Sequence, residues 1–139
     1  MAKIWKPELT NILPGAVIGE GTSIAAFTEI GKNVIIGNNC KIQAFVFIPK
    51  GVMIGSGVFI GPSVTFTNDR YPSSIEYGKF EKTFVEDNVS IGAGSTIRCG
   101  VTLGAGSIIG AGSVVTNDVP AGEVWYGVPA TKQEVSDAR

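Results

Sequence analysis

Four consecutive residues, Asn68-Asp69-Arg70-Tyr71, set an amide, a carboxylate, a guanidinium and a phenol side by side. Together they suit a ligand bearing hydroxyls, an amine and a phosphate. They belong to a polar and aromatic segment, residues 67–84, which opens on Thr67 and also carries Tyr77 and Phe80. A purely structural explanation stands beside the chemical one: Asn-Asp pairs form turns, and a surface Arg commonly takes part in an ion pair. An absence is equally informative. The 139 residues contain no histidine, which removes the commonest general base and the commonest zinc ligand. Cys40 and Cys99 lie far apart with no CxxC pair, a pattern of reduced structural thiols rather than of a disulfide or zinc framework.

The elements that must position these groups follow from a repeat. Aliphatic or aromatic residues recur every sixth position from Ile12 to Phe66, and again from Val85 to Val115. Four residues after nearly all of them stands a small or β-branched residue, from Ala16 to Val64 and from Val89 to Val119. A helix needs apolar spacing near 3.6 and an amphipathic strand a spacing of 2, so a sustained period of six fits neither. It fits an all-β solenoid in which three hexads close a triangular coil of about eighteen residues and the aliphatic positions point into a narrow core. The sixteen hexads predict about five coils, stacked at about 4.8 Å. Residues 67–84 break the period and are expected to leave the prism as a loop. Long loops on a rigid solenoid are usually functional, and the aromatic content argues against disorder.

Composition narrows the partners. Eleven basic residues balance twelve acidic ones, without the positive footprint that nucleic acid or an anionic membrane requires. No apolar stretch approaches a membrane span and the N-terminus lacks a signal-peptide core. A single domain over residues 1–139 and a cytoplasmic location are expected. The residues from Gln133 to Arg139 show no strong periodicity. Two apolar series fall outside the core set. Val17, Ile35 and Met53 are spaced by eighteen, as are Phe27 and Phe45, the latter beside Phe47 and Phe59. Ladders of this kind imply a subunit interface, or packing beneath the loop or a terminal segment.

The [Ile/Leu/Val]-Gly-x-x-[small]-x hexad resembles the hexapeptide-repeat acyltransferases, and the left-handed sense of the parallel β-helix is implied by that resemblance. Val-Phe-Ile-Gly-Pro-Ser-Val-Thr-Phe-Thr-Asn-Asp-Arg-Tyr-Pro, residues 58–72, looks like the corresponding segment of nucleotide-linked amino-sugar N-acetyltransferases. The branch acting on dTDP-linked 3-amino-3,6-dideoxyhexoses is the most similar, with a UDP-linked branch beside it. Residues 109–122 and 126–130 resemble the same family's acetyl-CoA end.

The resemblance implies a homotrimer, acetyl-CoA as co-substrate and no metal. It assigns Asn68 and Asp69 to the reacting amine and its proton, and Thr67, Arg70 and Tyr71 to the sugar nucleotide. Gly92, Ala93 and Ala111 would face the CoA arm. Where relatives carry basic residues after Tyr-Pro and Pro-Ala, this chain has Ser73 and Thr131, with Lys132 as a substitute for the second. Attack by a neutral amine needs no histidine, whereas acetylation of a hydroxyl in relatives uses one. The β-helical carbonic anhydrases, which hold zinc on three histidines, are ruled out. A non-catalytic scaffold is the alternative.

Overall fold

The computed structural model describes residues 1–76 and 79–134; Tyr77 and the end of the C-terminal tail, residues 135–139, lie outside the described residues. The chain winds as a parallel left-handed β-helix with three flat faces. The first face stacks the rungs Lys3–Ile4, Ser23–Ile24, Lys41–Ile42, Phe59–Ile60, Ser90–Ile91, Ile108–Ile109 and Val124–Gly127. The second stacks Asn11–Ile12, Glu29–Ile30, Phe47–Ile48, Thr65–Phe66, Thr96–Ile97 and Val114–Val115. The third stacks Val17–Ile18, Ile35–Ile36, Val52–Ile54, Thr83–Val85 and Thr102–Leu103.

Successive side chains of a strand point to opposite faces, so each two-residue rung sends one residue outward and the next into the core. The inward set is almost wholly enclosed: Ile24, Ile30, Ile48, Ile60, Phe66, Ile91, Ile97 and Leu103 have no solvent exposure. Each such side chain contributes about 1.5–3 kcal/mol of burial free energy. The small positions are explained by the corners. There Thr22 Oγ1 donates to Gly37 O at 2.6 Å, Thr28 Oγ1 to Gln43 O at 2.9 Å and Ser95 Oγ to Gly110 O at 3.1 Å. A buried hydroxyl that bonds the next coil's carbonyl satisfies both groups.

Three features differ from the expectations. The second face has six strands and the first carries a further rung beyond them, so the prism has six coils and the start of a seventh rather than about five. The extra rungs are out of phase with the six-residue period. Lys3 pairs with Ser23, a step of twenty residues, because the 3₁₀ turn Pro7–Leu9 adds two residues to the first coil. Ile108 pairs with Val124, a step of sixteen. Val119 pairs with Leu103, and so occupies an inward aliphatic position rather than a small corner position. Finally, the loop ends at Lys82 and not at residue 84, since Thr83–Val85 is a strand paired with Val52–Ile54. Thr83 and Val85 are buried on either side of the outward Phe84.

Candidate active site

The loop leaves the prism at its second edge, between the second and third faces, and its foot is well tied. Thr67 N donates to Ile97 O at 3.1 Å, and the Thr67 hydroxyl accepts from Cys99 N at 3.0 Å. Asn68 is fixed on both sides: its Nδ2 donates to Lys50 O at 2.9 Å in the coil below, and its carbonyl accepts from Glu81 N at 3.0 Å. Asp69 bridges to Phe80 as a short antiparallel pair, and its Oδ1 accepts from Tyr71 N at 3.2 Å. A hairpin stem thus holds Asn68 and Asp69, one residue beyond the buried Phe66.

Two acceptors remain unused there among the described residues. Asn68 Oδ1 and Asp69 Oδ2 have no protein donor, although both residues are half-buried. A half-buried amide oxygen beside a carboxylate is an arrangement that can orient the N–H bonds of an amine and accept its proton. Arg70 and Tyr71 are less constrained. Arg70 Nη1 lies 3.4 Å from Glu81 Oε1, and its guanidinium is 6.0 Å from the centre of the Tyr71 ring. Tyr71 is 79% exposed. Ser73 Oγ accepts from Ile75 N and Glu76 N, which closes a turn at the loop's tip.

Gly92, Ala93 and Ala111 lie on the first edge, between the first and second faces. Gly92 is a glycine for packing reasons: a Cβ there would stand 2.5 Å from Ala111 N and 2.8 Å from Ala111 Cα. The coils approach so closely that a side chain cannot pass between them. Ala93 and Ala111 are exposed, and their backbone N–H groups donate to nothing among the described residues. One such donor per coil forms a short ladder. Beside it on the first face opens a groove of about 420 Å³ lined by Phe59, Ser90, Gly92 and Ile108.

Lys132 sits on the C-terminal hairpin, where Ala130–Gln133 runs antiparallel to Val124–Gly127. Its Nζ lies 3.5 Å from Glu123 Oε2 and 3.5 Å from Glu134 Oε1. Glu123, then Glu134, raise its pKa above the usual lysine value. Its charge is therefore already compensated within the chain.

The structure brings Thr67, Asn68, Asp69, Arg70 and Tyr71 together on the second edge. It does not bring them to Gly92, Ala93 and Ala111, because the whole second face lies between the two edges. The outward ladder of Val17, Ile35 and Met53 lies on the third face and continues to Phe84, each residue 40–57% exposed. Phe84 escaped the sequence reading because it was counted within the loop, although its place directly before the inward Val85 marks it as outward. Phe27 and Phe45 stack on the first edge with ring centres 5.1 Å apart and planes at 8°. Lys50 and Lys82 were also missed; the eighteen-residue step from Lys32 to Lys50 was the available signal.

Comparison with known proteins agrees with this architecture. No curated protein sequence matches the chain significantly. Among solved structures, the acetyltransferase domain of PglB from Neisseria gonorrhoeae superposes with a TM-score of 0.82 at 21% identity, covering 96% of this chain and 58% of that one. A histidine-to-asparagine variant of perosamine N-acetyltransferase from Caulobacter crescentus, in complex with CoA and GDP-perosamine, gives 0.82 at 25% identity with the same coverages. An aspartate-to-alanine variant of AntD, an N-acyltransferase from Bacillus cereus in complex with dTDP and coenzyme A, gives 0.77 at 23% identity over 98% of this chain and 78% of that one. The chain thus spans 58% of the length of the first two of these structures. The sequence model described as bacterial transferase hexapeptide (six repeats) matches residues 33–68 and 82–117, more than half of the chain and on both sides of the loop; the chain belongs to this family.

Proposed function

We propose that the chain transfers an acetyl group from acetyl-CoA to the amine of a nucleotide-linked sugar, a dTDP-linked 3-amino-dideoxy sugar being the first candidate and a UDP-linked amino sugar the second. The observation that carries this reading is the tied loop foot, where Asn68 Oδ1 and Asp69 Oδ2 stand free and half-buried. The solved structures with CoA and GDP-perosamine, or with dTDP and coenzyme A, support the two ligand classes.

In this reading Asn68 holds an N–H of the substrate amine and so aims the nitrogen lone pair at the thioester carbonyl. The C–N bond forms, the C–S bond breaks, and the amine proton passes to Asp69 or solvent, which returns a proton to the departing CoA thiolate. Thr67, Arg70 and Tyr71 hold the sugar nucleotide. The unpaired N–H groups of Ala93 and Ala111 face the CoA arm above Gly92, with its pantetheine chain along the Phe59–Ile108 groove. Lys132, already shared by two carboxylates, adds little to phosphate binding. No histidine and no metal ion enters the reaction as written.

Because the second face separates loop from amides, the reaction needs a loop and an amide ladder from neighbouring copies. A homotrimer that sets the loop edge of one copy against the first edge of the next, in the cytoplasm where acetyl-CoA is made available, provides that arrangement. A non-catalytic trimeric scaffold is the second reading, favoured only by the packing explanation of Gly92.

The test is thiol release from acetyl-CoA with a panel of dTDP- and UDP-linked 3-amino and 4-amino sugars, run beside Asn68→Ala. Turnover with one sugar that falls about a hundredfold in the variant is expected, as for the loss of one positioning contact. Absence of both turnover and acetyl-CoA binding would leave the scaffold.

A further inference from the structure

The second edge carries most of the chain's positive charge. Lys32, Lys50, Arg70, Lys79, Lys82 and Arg98 lie on it or on its loop, six of eleven basic residues, against Asp69, Glu76, Glu81 and Asp118 of twelve acidic ones. Among the described residues only Arg70 of these cations has a carboxylate within 4 Å. Lys50 and Lys82 have none, and both line a groove of about 280 Å³ that Asn33, Ile35, Gly51, Val52 and Met53 complete.

The register explains the approach. Thr83 pairs with Val52, so Lys82 is set over Gly51 and one coil above the level of Lys50. Two cations lining one groove, without a counter-charge among the described residues, offer a dianion two charge-assisted contacts. The groove is also coupled to the loop foot, since the Lys50 carbonyl is the acceptor that fixes Asn68. In a nucleotide-linked sugar the diphosphate is bonded directly to the sugar, so a ligand whose amine reaches Asn68 must place its diphosphate nearby.

We infer that the groove between Lys50 and Lys82 binds the diphosphate of a nucleoside-diphosphate ligand, with Ile35 and Met53 as its apolar wall; this deepens the sugar-nucleotide reading above and rests on it. CoA also contains a diphosphate, and the site discriminates by position, because the unpaired amides assigned to CoA lie on the other edge.

Isothermal titration of UDP, dTDP, GDP and CoA into the full chain, and into Lys50→Met, Lys82→Met and the first-face control Lys41→Met, tests this. The tightest nucleoside diphosphate is expected to weaken about tenfold in each groove variant, the loss of one charge-assisted contact, and to lose part of its salt dependence. CoA affinity and the control should change by less than about twofold on the same scale. Unchanged nucleotide binding in both groove variants, with Asn68-dependent turnover intact, overturns the groove alone. Equal losses for CoA would assign the groove to the co-substrate and overturn the inference. If the unmodified chain binds no nucleoside diphosphate, both the inference and the sugar-nucleotide reading fall.

Discussion

The first and second edges border the same face and obey the same eighteen-residue step, yet they are built for different tasks. Along the first edge the corner residues change from aromatic to absent: Phe27 and Phe45 with φ of 63° and 61°, then Ser63, Gly94 and Gly112. At Gly94 and Gly112 an added Cβ would meet nothing within 4 Å, and beside them the N–H groups of Ala93 and Ala111 are left without an acceptor among the described residues. The second edge instead gathers cations and extrudes a loop. A solenoid period dictates where side chains project, and the occupant of each corner dictates what that projection does.

Excising residues 69–81 should break the comparison most strongly, by returning the second edge to an ordinary corner. Acetyl transfer should fall about a thousandfold or more, since the nucleotide contacts of Arg70 and Tyr71 and the proton acceptor Asp69 all go. Thermal melting should shift by no more than about 4–8 °C, the range for a loss near 1 kcal/mol. A large drop in melting temperature would show that the loop foot belongs to the fold rather than the site.

Next in size is Phe66→Ala, at the rung from which the loop departs. It removes a fully buried aromatic and should cost about 3–5 kcal/mol in chemical denaturation, whereas Phe47→Ala on the outer surface of the same face should cost less than about 1 kcal/mol. On the first edge, Gly92→Ala should destabilise by about 1–3 kcal/mol, because the atom its Cβ would meet is backbone. Gly94→Ala should cost about 1–2 kcal/mol through its positive φ alone. If CoA binding falls in Gly92→Ala out of proportion to stability, the glycine serves the ligand as well as the packing.

The smallest effect expected is at the aromatic pair. Phe45→Ala removes a stacking worth about 1 kcal/mol while keeping the left-handed backbone, so stability should drop by about that amount. Phe45→Gly loses the same stacking and relieves the strain of a bulky residue at φ 61°, leaving stability within about 0.5 kcal/mol of the starting value. A pair assembled only for stability would not sit on strained corners; equal losses in both variants would show that the strain is negligible.

The fold was largely readable because every inward residue of a solenoid touches mainly the residues one coil above and below, so the six-residue pattern survives without long-range information. Where phase slips, it is lost. Ile4 stands eight residues before Ile12 and Trp125 ten after Val115, and neither can be assigned to a rung without seeing the 3₁₀ turn or the shortened corner. The identity of the loop residues was legible from their chemistry, but their state was not. That Asn68 spends its amide nitrogen on a backbone carbonyl, that Arg70 is shared with Glu81 and that Lys132 is held by Glu123 and Glu134 all depend on neighbours distant in sequence. The groove between Lys50 and Lys82 has no linear motif, since its two cations are separated by the entire loop.

Phe59 pairs with Ser90 and Thr65 with Thr96, steps of thirty-one residues, although Lys41 pairs with Phe59 at the usual eighteen. Thirteen surplus residues therefore enter and leave at one corner without displacing a rung on either side. A scaffold with this property can be re-equipped in a single recombination event: one contiguous insert, exchanged between relatives, would replace the loop-borne side chains and leave the first-face groove and the core untouched. Divergence in specificity across such chains is then free to run faster than divergence in architecture, because selection on the one does not have to renegotiate the other.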